Sequence, residues 1–282
     1  MNFRVLIFCF IYLIGVHTEK AISQTSTAPS VGNGTSGNPY QIATLNNLYW
    51  LSQTTSAWSA GKYFIQTVDI DATSTNTWFS DGAGNYYGFP PIGGRGPSIS
   101  GQQQIAGTFS GTYDGGGYKI INLYIRRPND MIGLFGQIQN ATIKNLALKD
   151  PTIIIPSQTS GYNYGVGILI GYCPGGSTVT NVAINGGSIN CTISGGTASL
   201  GTIVGWDAGL TDSNTSTSAS VTLNRGYAGA FVGYKASGSS NYTNCNARGN
   251  ITATTTNGNK IGGFAGVIDG TIVLQNALPP EM

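Results

Sequence analysis

Asp69 and Asp71 stand two residues apart in the stretch KYFIQTVDID (residues 62–71), a spacing that places both carboxylates on one face of a strand. Such a pair could hold calcium, or serve as acid and base on a polysaccharide. Aspartates at a strand end also cap turns, and Asp114, followed by Gly115-Gly116-Gly117, reads as a turn aspartate. Asp207 and Asp212 flank a loop with Trp206, where acids are ordinarily solvated or join a sugar-binding patch. Aromatic residues crowd a second region, with Trp78, Phe79, Tyr86, Tyr87 and Phe89 all within residues 72–104. In a polar loop such rings stack on sugars or anchor a protein partner, and they can equally fold back as a cover. The candidate ligand contacts are therefore Trp78, Tyr86, Tyr87 and Trp206, and the candidate calcium ligands are Asp69 and Asp71. No catalytic set and no cofactor is expected.

Composition narrows the chemistry further. Residues 1–23 read as a secretory signal: Arg4 supplies the positive start, an apolar run follows from Val5 to Val16, and Ala21-Ile22-Ser23 supplies small residues for cleavage. The only histidine, His17, lies inside that segment, as does Glu19, so a mature chain starting near Gln24 has no imidazole and keeps only Glu281. Ser/His and Cys/His catalysis and histidine-based zinc sites are excluded on that basis. Charged residues are 9% of the chain and no basic stripe is present, which argues against nucleic acid as a partner. Cys173, Cys191 and Cys245 match no metal-ligand spacing. They read as buried small side chains, with one disulfide plus one thiol as the alternative. Sequons occur at Asn33, Asn140, Asn190, Asn214, Asn241 and Asn250.

The elements that must position these residues are set by a repeat. The blocks IGLFG, GILIG, GTIVG, GAFVG and GGFAG close on Gly136, Gly171, Gly205, Gly233 and Gly266, and self-similarity at this period signals a solenoid. Each block is followed by a turn and a Thr/Ser-aliphatic-x-Asn stretch. Examples are Thr142-Ile143-Lys144-Asn145, Thr178-Val179-Thr180-Asn181 and Ser220-Val221-Thr222-Leu223-Asn224, with Thr271-Ile272-Val273 keeping the first part. Alternation turns the aliphatic residue inward and its neighbours outward. Stacked asparagines form a corner ladder, and the closing glycines suit either positive φ or a corner too tight for a Cβ.

The fold expected is all-β, a parallel β-helix with a short N-terminal capping helix begun by Thr44 and carrying Leu45, Leu48 and Leu51. Its parts are a signal peptide (1–23), a flexible leader (24–38), cap helix, first coils and long excursion (39–125), repeat solenoid (126–277) and tail (278–282). The tail follows a repeat with no capping element, so truncation or end-to-end self-association is expected.

Taken together, GNPYQIATLNNLYWLS, GKYFIQTVDID, PIGG, GTFSGTYDGGGYKIINLYI and IGLFGQIQNATIKNLAL resemble the GLUG-repeat proteins in order and spacing from Gly37 to Leu148. The resemblance implies a secreted or surface, adhesin-like β-helix. The function expected is non-enzymatic binding to a carbohydrate, a matrix or a protein on a host or neighbouring cell. A carbohydrate-active β-helix enzyme working through aspartates is the alternative. Ice binding through outward threonines is a minor one, since the Thr-x-Thr array is broken at Lys144 and Val273.

Overall fold

Four parallel sheets wind into a β-solenoid of about five turns. The computed structural model describes residues 24–96, 103–128, 130–156, 163–256 and 258–276. The expected signal peptide and tail lie outside the described residues. The first sheet carries Thr142–Lys149, Ser177–Asn185, Leu210–Ser213, Ser239–Thr243 and Thr271–Gln275 as successive rungs. The second is built from Tyr124–Arg126, Thr152–Ile155, Ser188–Cys191, Ser220–Leu223 and Ile251–Ala253. The third holds Asn163–Gly167, Thr197–Gly201, Gly226–Gly229 and Lys260–Gly262. The fourth holds Phe135–Gln137, Ile170–Cys173, Val204–Asp207, Val232–Lys235 and Ala265–Ile268.

The glycine blocks make the turn from the third sheet to the fourth, and their two glycines have different tasks. At the opening positions Gly167, Gly201, Gly229 and Gly262, a Cβ would lie 1.9–2.3 Å from the carbonyl oxygen of Ile170, Val204, Val232 or Ala265, across the turn. The closing glycines stack in one column of the fourth sheet and press on the third-sheet strand of the preceding coil. A Cβ on Gly205 would sit 2.0 Å from the Val166 nitrogen, and one on Gly233 would sit 2.4 Å from that of Leu200. None of the closing glycines has positive φ. Close backbone approach, not left-handed backbone, selects glycine there.

The asparagine corner ladder is present with different members. Asn145, Asn181, Asn214, Asn244 and Asn276 all have φ between 52° and 56°. The Asn181 amide donates to Asn145 Oδ1 at 3.1 Å, and that of Asn244 donates to Asn214 Oδ1 at 3.0 Å. Left-handed backbone costs an ordinary residue about 1–2 kcal/mol, and asparagine offsets that with its side-chain bonds. Asn224 is not part of the column. Ser220–Leu223 is a second-sheet strand registered on Ser188–Cys191, so the sequence alignment of that segment with Thr142-Ile143-Lys144 is corrected. The true third rung is Thr211-Asp212-Ser213. In the last coil the equivalent residues are Val273-Leu274-Gln275, two places beyond the expected Thr271-Ile272-Val273.

At the N-terminal end the chain seals itself. Helix Leu45–Gln53 is capped by the Thr44 hydroxyl, which accepts from the Asn47 amide, and it buries Leu48, Tyr49 and Leu51. Residues 24–38, read as a flexible leader, are tied to this cap. Thr27 donates its backbone N–H to Asn46 O, Asn47 Nδ2 donates to Thr27 O, and Gln41 donates to Val31 O. At the other end the last coil leaves Ile261, Ile268 and Leu274 exposed. Cys173, Cys191 and Cys245 are free and buried. Among the described residues no helix is long and apolar enough to cross a membrane.

Candidate functional site

The excursion does not project from the solenoid. Trp78 is 4% exposed, Tyr87 7% and Phe89 fully buried, with Trp78 packed edge-on against Tyr49 of the cap helix at 5.2 Å. Arg127 fastens the segment from beneath: its Nε donates to Phe89 O at 3.3 Å and its Nη2 to Gly88 O at 2.9 Å, and its guanidinium lies over the Tyr87 ring. Trp78 and Tyr87 are therefore core residues and are corrected as ligand contacts; of the excursion candidates only Tyr86 is exposed. Asp69 and Asp71 are committed to the backbone. Asp69 Oδ1 accepts from the Lys119 N–H, and Asp71 Oδ1 accepts from the N–H and hydroxyl of Thr73. The hydroxyl and amide of Thr73 hold the Asp71 carboxyl below its ordinary value. Among the described residues no three acids, cysteines or histidines gather where a metal ion could sit.

Asp207 and Asp212, expected in a solvated loop, are inside the solenoid. Asp207 Oδ1 accepts from the N–H groups of Gly209 and Leu210, and its Oδ2 accepts from the Tyr242 hydroxyl at 2.8 Å. Asp212 occupies an inward column between Val179 and Tyr242. Its Oδ1 accepts from the Thr215 hydroxyl at 2.6 Å, and its Oδ2 is buried without a partner. Burial pushes this carboxyl up to about 7, against the hydrogen bonds from Thr215 and Ser213, with Asp207 adding to the rise.

Trp206 is half-exposed on the fourth sheet. It follows a closing glycine, and the fourth-sheet register stacks Gln137, Tyr172, Trp206, Tyr234 and Val267 in one column. The three central rings form a continuous half-buried ridge: Tyr172 and Trp206 are 6.3 Å apart and edge-to-face, and Trp206 and Tyr234 are 4.7 Å apart. Tyr227, from the third sheet, stacks on Tyr234 at 5.9 Å, and Lys260 Nζ lies over the Tyr227 ring, 5.2 Å from its centre.

Two hollows meet at Trp206. One, of about 390 Å³, is lined by Arg95, Asp130, Met131, Gly165, Tyr172 and Trp206. There Arg95 pairs with Asp130 at 3.3 Å, the arginine side chain 57% exposed and the aspartate 5%. Burial raises the Asp130 carboxyl to about 6, opposed by the Arg95 charge. The second hollow, of about 180 Å³, lies between Trp206, Tyr227, Tyr234, Lys260 and Asp269, with Thr197 and Ser199 at its wall. Tyr234 donates its hydroxyl to Asp269 in a short hydrogen bond. That bond, with burial and the Asp269 charge, lifts the phenol to about 12, so Tyr234 stays a neutral donor. The sequence signal for this ridge was the residue directly after each closing glycine, aromatic in three successive repeats as Tyr172, Trp206 and Tyr234.

No family model matches the chain. It is similar to halomucin of Haloquadratum walsbyi, 32% identical over 194 residues that make up 67% of this chain and 2% of the relative. It is also similar to a protein of Evansella cellulosilytica provisionally described as a Gly-rich membrane protein, 29% identical over 59% of this chain and 18% of the relative. The chain thus spans a small part of either relative's length. Among solved structures it is similar to a Bacteroides ovatus protein provisionally described as an immunoglobulin A1 protease, with a TM-score of 0.56 and 18% identity. That match covers 87% of this chain and 76% of the other, and it bears on the fold alone.

Proposed function

We propose that this chain is a surface-displayed, non-enzymatic β-solenoid that binds carbohydrate through the ridge Tyr172–Trp206–Tyr234. The carrying observation is the aromatic column on the fourth sheet, half-exposed and bordered by hydrogen-bonding groups. Half-buried rings with adjacent polar groups are the usual anchors of a recognition surface. Surface display is supported by the signal-like residues 1–23 and by a relative described as a membrane protein. The GLUG-type reading is supported by the block order, whose IGLFG unit forms the turn into the fourth sheet.

A hydrolase of the common two-carboxylate type needs a pair of acids facing one cleft. Asp207 and Asp212 are sealed inside, Asp69 and Asp71 are held by backbone and Thr73, and among the described residues Asp130 is the single acid lining its hollow. The test is a glycan array probed with the protein and its Trp206→Ala variant. Loss of a central stacking ring is expected to weaken binding about 30-fold, as for an interface residue contributing about 2 kcal/mol. Unchanged binding by the variant, or an array with no bound glycan, would overturn the proposal.

A further inference from the structure

We infer that the ligand is a linear, uncharged oligosaccharide lying parallel to the solenoid axis, with Trp206 standing between two subsites. This rests on the carbohydrate reading of the same ridge and adds the ligand's length, direction and charge. Direction follows from register: Tyr172, Trp206 and Tyr234 come from three successive coils and occupy one column. Successive coils are about 4.8 Å apart, close to the length that one sugar ring adds to a chain. A ligand running along the axis meets one ring per coil, whereas one crossing the axis meets a single ring.

Length follows from the two hollows. The larger draws on Arg95, Asp130 and Tyr172, toward the N-terminal coils; the smaller draws on Tyr234, Lys260 and Asp269, toward the C-terminal coils. Trp206 lines both. Its ring is 88° from that of Tyr172 and 64° from that of Tyr234, so it stands as a partition and not as a continuation of either face. A single sugar fills the smaller hollow, the larger has room for about two, and a chain of about three fills both and passes over the partition. The absence of net charge in the ligand follows from the linings, since each hollow holds one cation and one carboxylate: Arg95 paired with Asp130 in the larger, and Lys260, over the Tyr227 ring, with Asp269, bonded to Tyr234, in the smaller. A polyanionic chain would meet a like charge at both ends.

The experiment is calorimetric titration of the protein with size-fractionated neutral oligosaccharides of one to six residues, prepared from β-glucan, mannan, chitin and xylan. Sulfated and uronic-acid oligosaccharides of matched length run alongside. At least one neutral series is expected to tighten tenfold or more from one residue to three and then level off. Tyr172→Ala and Tyr234→Ala, each checked for an unchanged melting profile, are expected to return the trisaccharide to within threefold of the monosaccharide. Full-strength binding of a monosaccharide, or preference for the anionic series, overturns this inference. If Trp206→Ala still abolishes such binding, the carbohydrate reading survives it. Binding by no sugar of either kind removes both.

Discussion

Replacing Asp212 by asparagine tests the reading of the solenoid interior. Asp212 takes the place held by Val179 one coil earlier and Tyr242 one coil later, and its Oδ2 is buried without a partner. The groups facing it are the Asp207 carboxylate, the Tyr242 phenol and the Cys245 thiol. Burial raises both the phenol and the thiol, the latter to about 12, so neither changes charge near neutrality. An unfolded aspartate loses its proton near pH 3.9, whereas the folded carboxyl keeps it until about 7. Between those values the folded state binds more protons than the unfolded state, so stability falls as pH rises, and it levels off above 7. A rise from 3.8 to about 7 corresponds to about 4 kcal/mol. In a domain of this size that is about 8–16 °C in melting temperature. The measurement is thermal and urea unfolding followed by circular dichroism from pH 4.5 to 8.5. Asp130 titrates in the same window, so the quantity compared is wild type minus Asp212→Asn. Wild type should lose stability relative to the variant as pH rises. Parallel pH profiles, or a wild type that gains on the variant at high pH, would refute the reasoning.

Gly205→Ala drives a methyl into the Val166 nitrogen and should cost 3 kcal/mol or more, beyond the usual range for overpacking because backbone must move. Gly37→Ala, which meets open space, should stay within about 0.5 kcal/mol; equal melting losses would show that the glycine column is not tight. Asn181→Ala gives up both left-handed tolerance and the bond to Asn145, for about 2 kcal/mol, while Asn181→Gly gives up only the bond, for about 1 kcal/mol. Equal losses in urea titration would remove backbone conformation as the reason for asparagine. Arg127→Ala frees the carbonyls of Gly88 and Phe89 and uncovers Tyr87, so chymotrypsin should cut at Tyr86 or Tyr87 at least tenfold faster. An unchanged cleavage rate would mean that other contacts hold the excursion.

The cap helix was legible because Thr44 and the leucines after it carry both an N-cap and a helical period. The solenoid was legible because the glycine blocks recur. Which Thr/Ser-x-Thr stretch belongs to which sheet was not, because the same alternation serves two sheets of one coil. Thr211-Asp212-Ser213 hides behind an acid in the core position, while Ser220-Val221-Thr222 fits the pattern and sits in the neighbouring sheet. Trp78 and Tyr87 misled for a related reason: loop composition does not say which way the loop folds, and here the contacts that hold it come from Tyr124, Arg126 and Arg127, far along the chain. Of the ridge, the sequence reading held only Trp206; the aromatics after the two neighbouring closing glycines carried the signal for the rest, and only stacking shows that the rings meet.

The corner joining the second sheet to the third takes up most of the irregularity in repeat length. It runs from Ile155 to Asn163, Cys191 to Thr197, Leu223 to Gly226 and Ala253 to Lys260 in successive coils. Its tightest version turns on Gly226, with φ of 128°. The strands on either side keep their pairing whatever the corner's length. The spacing between these strands therefore varies where the ladders do not, and the corner adjoins the sheet that contributes Tyr227 and Lys260 to the smaller hollow. Segments spliced into it would change the rim of the proposed carbohydrate surface while every rung stays in register, which makes the corner the natural graft site on this scaffold.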